Sequence, residues 1–174
     1  MKKIIIVLIT LFVGLTNMAQ EKNFDKVALK ESFISQEGES LLFKQILERY
    51  EGQTIFIDIW ASWCSDCVKS FPALKDLQKK EKDITYLMLS LDKEEGSWKK
   101  GITKLELKGE HYLFTSKWKT SGFCKSIALD WIPRYMIVDK KGEITMFKAI
   151  TLDDSKILKA IHTKEKEDNS IKKL

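Results

Sequence analysis

The stretch Thr54-Ile-Phe-Ile-Asp-Ile-Trp60 constrains this chain more than any other. It is a near-continuous apolar run, rich in β-branched and aromatic residues. A strand with that pattern is buried on both faces, so it belongs inside a sheet with layers on either side. One charge, Asp58, interrupts it. The run leads into Trp-Ala-Ser-Trp-Cys-Ser-Asp-Cys, residues 60–67, with two cysteines just ahead of a helical pattern.

That pattern predicts a helix from about Ser65 to Lys80, with Phe71, Leu74 and Leu77 on one face and Pro72 kinking it. Ile84 to Leu91 reads as a second buried strand. Ser97 then caps a helix carrying Trp98, Ile102 and Leu105, closed by Gly109. His111 to Phe114 reads as a short strand, Lys117 to Lys125 as a helix, and Arg134 to Val138 as a third strand. Asp139 to Gly142 turns the chain, Glu143 to Ala149 pairs back as a hairpin, and Ser155 to Ile161 is a closing amphipathic helix. Upstream, Lys26–Glu31 and Ser32–Ser35 read as short edge strands. Ser40 to Tyr50 reads as a helix capped by Ser40 and followed by Gly52. Strand, helix, strand, helix, hairpin, helix is the order of an α/β fold with a central mixed sheet flanked by helices.

The 174 residues suffice for one domain. Apolar residues make up 44% and charged ones 32%, so neither a disordered nor a membrane-embedded class is indicated. The net charge of +5 comes from interspersed lysines and glutamates without a basic stripe, which gives nucleic-acid binding no support. The first 19 residues pair Lys2 and Lys3 with an apolar stretch, Ile4 to Val13, and a small-residue exit at Asn17-Met-Ala19, the pattern of a secretory signal peptide. Cleavage after Ala19 lowers the charge from +5 to +3 and leaves a domain over residues 20–163, followed by a charged tail over 164–174. The other reading of the segment is an uncleaved anchor that tethers the domain to the membrane. Export, to the periplasm in this reading, puts the cysteines where a disulfide can form and cycle.

There are three cysteines: Cys64, Cys67 and Cys124. Cys64 falls at a helix N-terminus, where unpaired N–H groups and the helix dipole favour a thiolate. It is the candidate nucleophile, and Cys67, one turn on, the candidate resolving thiol. Cys67 must lose a proton in a buried place. Asp58, its pKa raised by burial, is the candidate acceptor. Trp63 flanks the reactive sulfur as a surface for a partner, whereas Trp60 fits plain core packing. A metal is not indicated, because a closed zinc site wants four ligands and the histidines, His111 and His162, lie in unrelated contexts. A structural staple over so short a loop would stabilise little. Cys124 fits a small buried core residue; a third redox thiol is the sharper alternative.

Asp58-Ile-Trp-Ala-Ser-Trp-Cys-Ser-Asp-Cys-Val-Lys-Ser-Phe-Pro72 resembles the thioredoxin active-site segment, and Trp131-Ile-Pro133-Arg-Tyr-Met-Ile-Val-Asp-Lys-Lys-Gly142 resembles that family's second signature. The signal-like N-terminus and the Trp-Ala-Ser-Trp-Cys form are more similar to exported TlpA/ResA-type thiol–disulfide oxidoreductases than to cytosolic thioredoxin. The resemblance covers roughly residues 32 to 163. It implies a thioredoxin fold with an insertion between the second and third core strands, spanning Glu94 to Ala128. It implies a cis Pro133 facing the cysteines and an Ile132 backbone that pairs with substrate peptide. The redox-active Cys64–Cys67 disulfide would then work without a cofactor. Implied partners are disulfide-containing exported proteins and a membrane thiol protein that donates electrons, with the chain a monomer.

Three departures stand out. Ser65-Asp66 replaces the family's common Gly-Pro, and the Asp66 charge should disfavour the Cys64 thiolate, giving a more reducing couple. Met88 aligns where thioredoxin carries a lysine near its buried aspartate. The insertion is long. Two rival functions stay open: a peptide-binding or chaperone module with an incidental cysteine pair, and a thiol peroxidase with Arg134 beside the Cys64 thiolate.

Overall fold

A computed structural model describes residues 22–162, so the expected signal peptide and charged tail lie outside the described residues. Seven strands form one sheet in the order β2-β1-β5-β4-β3-β6-β7. They are β1 (Ser32–Ser35), β2 (Ser40–Leu42), β3 (Ile55–Trp60), β4 (Thr85–Ser90), β5 (Glu110–Phe114), β6 (Arg134–Val138) and β7 (Ile144–Ala149). The helices are α1 (Lys26–Leu29), α2 (Phe43–Arg49), α3 (Ser65–Lys80), α4 (Glu95–Lys104), α5 (Gly122–Ser126) and α6 (Asp154–His162). Strands β3, β4 and β5 are parallel; β6 runs antiparallel to β3, and β7 and β1 extend the two sides in antiparallel fashion. The sheet is mixed, as expected. The insertion contributes α4, β5 and α5, and β5 is the strand that joins β1 to the parallel core.

All six β3 positions are buried, and each face has its own cover. Phe56, Asp58 and Trp60 point to the α3 side. The Trp60 ring meets Phe71 of α3 edge-on at 5.6 Å, and Tyr135 of β6 donates to Ser70 of α3. Helix α6 lies beside the end of α3, with His162 Nε2 3.2 Å from the Glu81 carboxylate. On the other face Phe24, Phe33, Phe43, Phe114 and Phe123 form an aromatic cluster that joins α1, α2 and α5 to the sheet, with successive ring centroids 4.4–6.2 Å apart. Offset and edge contacts of this kind add to the apolar burial. Glu31 pins α5 to this side. Its carboxylate accepts from Ser121 Oγ and the Phe123 N–H, and although burial pushes its pKa up, such hydrogen bonds hold it below the ordinary value.

Four local expectations need correction. Lys26–Leu29 is a helical turn, not a strand, because Asp25 caps it by accepting from the Ala28 N–H at 2.7 Å. Ser40 does not cap a helix. Ser40–Leu42 pairs with β1 with only Leu41 inward, and α2 begins after Leu42, whose N–H donates to Gln45 Oε1. α4 starts at Glu95, ahead of Ser97. The helix expected over Lys117–Lys125 is only Gly122–Ser126, because Ser121 caps it by accepting from the Cys124 N–H.

Helix α4 approaches the β3–α3 turn closely. A Cβ at Gly101 would lie 2.8 Å from the Ser62 Cβ and 3.4 Å from the Trp60 ring, whereas one at Gly96 would meet nothing within 4 Å. Gly101→Ala is therefore expected to lower stability by about 1–3 kcal/mol through overpacking. Gly96→Ala is expected to be neutral or stabilising by up to ~1 kcal/mol through helix propensity. Thermal unfolding of both variants checks this, and an equal response would refute the close approach.

Candidate active site

The β3–α3 junction puts the cysteines at the C-terminal end of the central strand. Cys64 is the N-cap of α3, in extended conformation, and its Sγ accepts from the Cys67 N–H at 3.1 Å. The two cysteines are joined as a disulfide with Cα atoms 5.3 Å apart. Cys67 is fully buried and Cys64 is 7% exposed, so a partner reaches the pair through the Cys64 sulfur. Ser65 and Asp66 occupy the first turn, with Asp66 paired to the exposed Lys69 at 3.4 Å.

The second strand-end segment closes over this sulfur. The Ile132–Pro133 peptide is cis, and the Ile132 carbonyl oxygen lies 3.7 Å from Cys64 Sγ. Cys64, Ile132 and Pro133 are thus together, as the resemblance implied. Trp63 and Trp131, the neighbours of Cys64 and Ile132, are each more than half exposed, and Val68 is exposed one turn into α3. Trp60, in contrast, is fully buried in the core.

Asp58 lies on the α3 face of β3 and is fully buried. Its neighbours in register are Met88 on β4 and Tyr135 on β6. The β4 neighbour of the carboxylate is thus an apolar, buried side chain. Neither Asp58 oxygen has a hydrogen-bond partner among the described residues, and burial drives its pKa from 3.8 up to about 8. A carboxyl group so placed holds a proton that it can exchange near neutral pH.

Three contributors escaped the sequence reading. Asp92, just past β4, accepts from the Ser62 N–H at 3.0 Å, from Ser62 Oγ at 2.7 Å and from Ser90 Oγ at 2.8 Å, and so fixes the turn that carries Trp63 and Cys64. The aspartate two residues after a strand serine was its sole sequence signal. Tyr135 and Ser70 are the others: Tyr135 Oη donates to Ser70 Oγ at 2.8 Å, and Ser70 Oγ donates to the Cys67 carbonyl at 2.8 Å.

Arg134 does not serve Cys64. It pairs in register with Ile59, on the face away from Asp58, and its buried guanidinium donates to the Ile127 and Ala128 carbonyls and to Asp130. That leaves the peroxidase alternative without its arginine. Cys124 is a buried free thiol in α5, on the opposite side of the sheet from α3, and burial pushes its pKa up to about 11. It behaves as a core residue. Among the described residues no cluster of three or more His, Cys, Asp or Glu side chains is arranged to hold a metal ion.

Comparison with known proteins agrees with this geometry. A family model described as thioredoxin-like matches residues 52–144. The thiol-disulfide oxidoreductase ResA of Bacillus cereus is 23% identical over 167 residues, covering 95% of this chain and 86% of the relative. Among solved structures, a thiol-disulfide oxidoreductase from Bacteroides fragilis is 27% identical with a TM-score of 0.61, covering 82% of this chain and 98% of that one. The thioredoxin domain of a thiol-disulfide oxidoreductase from Bacteroides vulgatus is 26% identical with a TM-score of 0.63, covering 78% and 94%. The family match takes in Asp58, both active-site cysteines and Pro133, and the chain belongs to the thioredoxin-like family.

Proposed function

We propose that this chain is a thiol–disulfide oxidoreductase that reduces disulfides of other exported proteins in the cell envelope. The observation that carries the reading is the Cys64 sulfur: it is the open edge of a buried pair and lies against the Ile132 carbonyl. In the dithiol form the Cys64 thiolate attacks one sulfur of a partner disulfide. That S–S bond breaks, a partner thiolate leaves, and a mixed disulfide forms. Cys67 then gives its proton to the ionised fraction of Asp58, which grows as pH approaches about 8, and attacks Cys64 Sγ. The bond to the partner breaks, and the electron pair leaves on the partner sulfur that Cys64 had attacked, which takes up a proton. The partner gains two electrons and the Cys64–Cys67 disulfide forms.

The N-terminus of α3 favours the Cys64 thiolate. The Ile132 backbone offers an edge for an extended partner segment. Trp63, Trp131 and Val68 supply apolar contact around it, since exposed aromatic residues at such a site mark a contact surface. Electrons return from a membrane thiol protein. Placement in the envelope rests on the basic and apolar N-terminal segment, and among the described residues no helix is long and apolar enough to cross a membrane.

Redox titration with mass mapping of each cysteine is the direct test. Cys64 and Cys67 are expected to cycle together at a potential near thioredoxin's, about −270 mV, while Cys124 stays reduced. Cys67→Ser is expected to accumulate the mixed disulfide and Cys64→Ser to form none. If a Cys64→Ser, Cys67→Ser double variant keeps full biological function, the peptide-binding alternative takes over. Asp66→Asn removes a negative charge from the first turn of α3 and is expected to raise the potential by on the order of 10–20 mV; an unchanged midpoint counts against a tuning role.

Asp58 links activity to stability. The folded chain keeps the Asp58 proton up to about pH 8, whereas the unfolded chain releases it near 3.8. Between those values the folded state binds more protons. The Asp58 contribution to stability is thus complete below the lower value and is lost as pH rises through the upper one. Asp58→Asn is expected to flatten that slope and to stabilise the oxidised protein at pH 8 by on the order of a few kcal/mol. It should also slow the resolving step about a hundredfold by removing the proton acceptor. Denaturant titrations across pH and rapid-quench kinetics check the two effects separately.

A further inference from the structure

Tyr135 touches several parts of the site that sequence keeps far apart. It lies two residues after Pro133 on β6, and its register partner on β3 is Asp58. Its hydroxyl donates to Ser70 on α3, and Ser70 in turn donates to the carbonyl of Cys67. Tyr135 is fully buried and Ser70 half-buried, so the Tyr135 end of this chain is shielded from competing water. The helix needs such a tie at this point. Pro72 lies inside α3 and has no N–H to give to the carbonyl of Val68, so the helix's own ladder lacks a bond directly after the cysteines.

We propose that Tyr135 and Ser70 act together as positioning residues for the resolving step, holding Cys67 in register with the Pro133 segment and above Asp58. The proposal rests on the exchange reading given above. Attack by Cys64 on a partner needs only the exposed sulfur at the helix N-terminus. Resolution needs the Cys67 sulfur in line with the new Cys64–partner bond and its proton within reach of Asp58. Displacements of an ångström change such steps strongly. The Tyr135–Ser70–Cys67 chain fixes the cysteine whose sulfur enters only in the second step.

The test separates the two steps. The reduced protein is mixed with glutathione disulfide, quenched in acid at intervals and weighed. The thiolate of Cys64 takes one glutathione, releasing the other as a thiolate. Cys67 then displaces the bound glutathione, and the internal disulfide forms. Tyr135→Phe and Ser70→Ala are each expected to form the adduct at the wild-type rate and to convert it about threefold to tenfold more slowly, the effect of one lost hydrogen bond. Because Tyr135 acts only through Ser70, the double variant should be no slower than the slower single. Ser70→Thr, which keeps a hydroxyl, should restore the rate. Should Tyr135→Phe fail to fold, Ser70→Ala and Ser70→Thr carry the comparison on the α3 side.

Wild-type conversion rates in the folded variants, multiplicative slowing in the double variant, or equal slowing of adduct formation would each overturn the proposal. A wild-type protein that forms no adduct, or never converts it, overturns the exchange reading itself, and this proposal with it.

Discussion

Burial of β3 on both faces sets the terms for everything around it. A strand with six inaccessible positions must have hydrogen-bonded neighbours on both edges and packed layers above and below. Strands β4 and β6 supply the edges, α3 supplies one layer, and the aromatic cluster with α1, α2 and α5 supplies the other. The chain leaves this strand at Trp60 and must turn at once into α3. That turn delivers Cys64 to the end of the sheet, where a sulfur can be partly exposed while the residue one helical turn later is sealed in. The unequal exposure of the two cysteines follows from the topology, and the proposed division into an attacking and a resolving thiol rests on it.

The same burial creates the cost that the site uses. The carboxyl group on β3 is sealed from solvent, and Met88 fills the adjacent position on β4. A core built for stability alone would hold an apolar residue there, because an unpartnered buried carboxyl group favours neither folding nor charge. A proton acceptor that ionised at 3.8 would be too weak a base to take a proton from a buried thiol. One raised to about 8 is a much stronger base. Destabilisation and the proposed proton transfer are here two consequences of a single desolvated group.

Legibility in the sequence followed the range of the interactions. Helix α3 was read with the bounds it has, because its apolar spacing and the strand before it are local signals. Strands β3, β4 and β6 were legible for the same reason. Ser40 was misread because a serine ahead of an apolar run suits a helix cap and an edge strand equally, and only the pairing of Leu41 with Phe33 decides between them. Asp92, Ser70 and Tyr135 were missed because each acts through a partner distant in sequence: Asp92 reaches back 30 residues to Ser62, and Tyr135 reaches back 65 to Ser70. Nothing in the neighbourhoods of Ser70 and Tyr135 marks them, and Asp92 has only the strand serine two residues before it. Asp58 was legible since a charge inside an apolar run is anomalous on its face. Pro133 was legible only through resemblance, a proline at a strand start being ordinary by itself.

That long-range construction has a chemical consequence. The Cys-x-x-Cys segment is a local motif, but the site is not. The Ile132 carbonyl that meets Cys64 comes from 68 residues away and arrives only when β6 pairs with β3. The same pairing brings Tyr135 over Asp58 and down onto Ser70. Burial of Asp58, which makes it a strong enough base, likewise requires α3 and β6 both in place. In a chain whose β6 has not docked, Cys64 and Cys67 remain an accessible thiol pair without a base, without the carbonyl and without a fixed Cys67. Competence for the second exchange step therefore arises at closure of the sheet. The complete site is thus a property of the folded form alone.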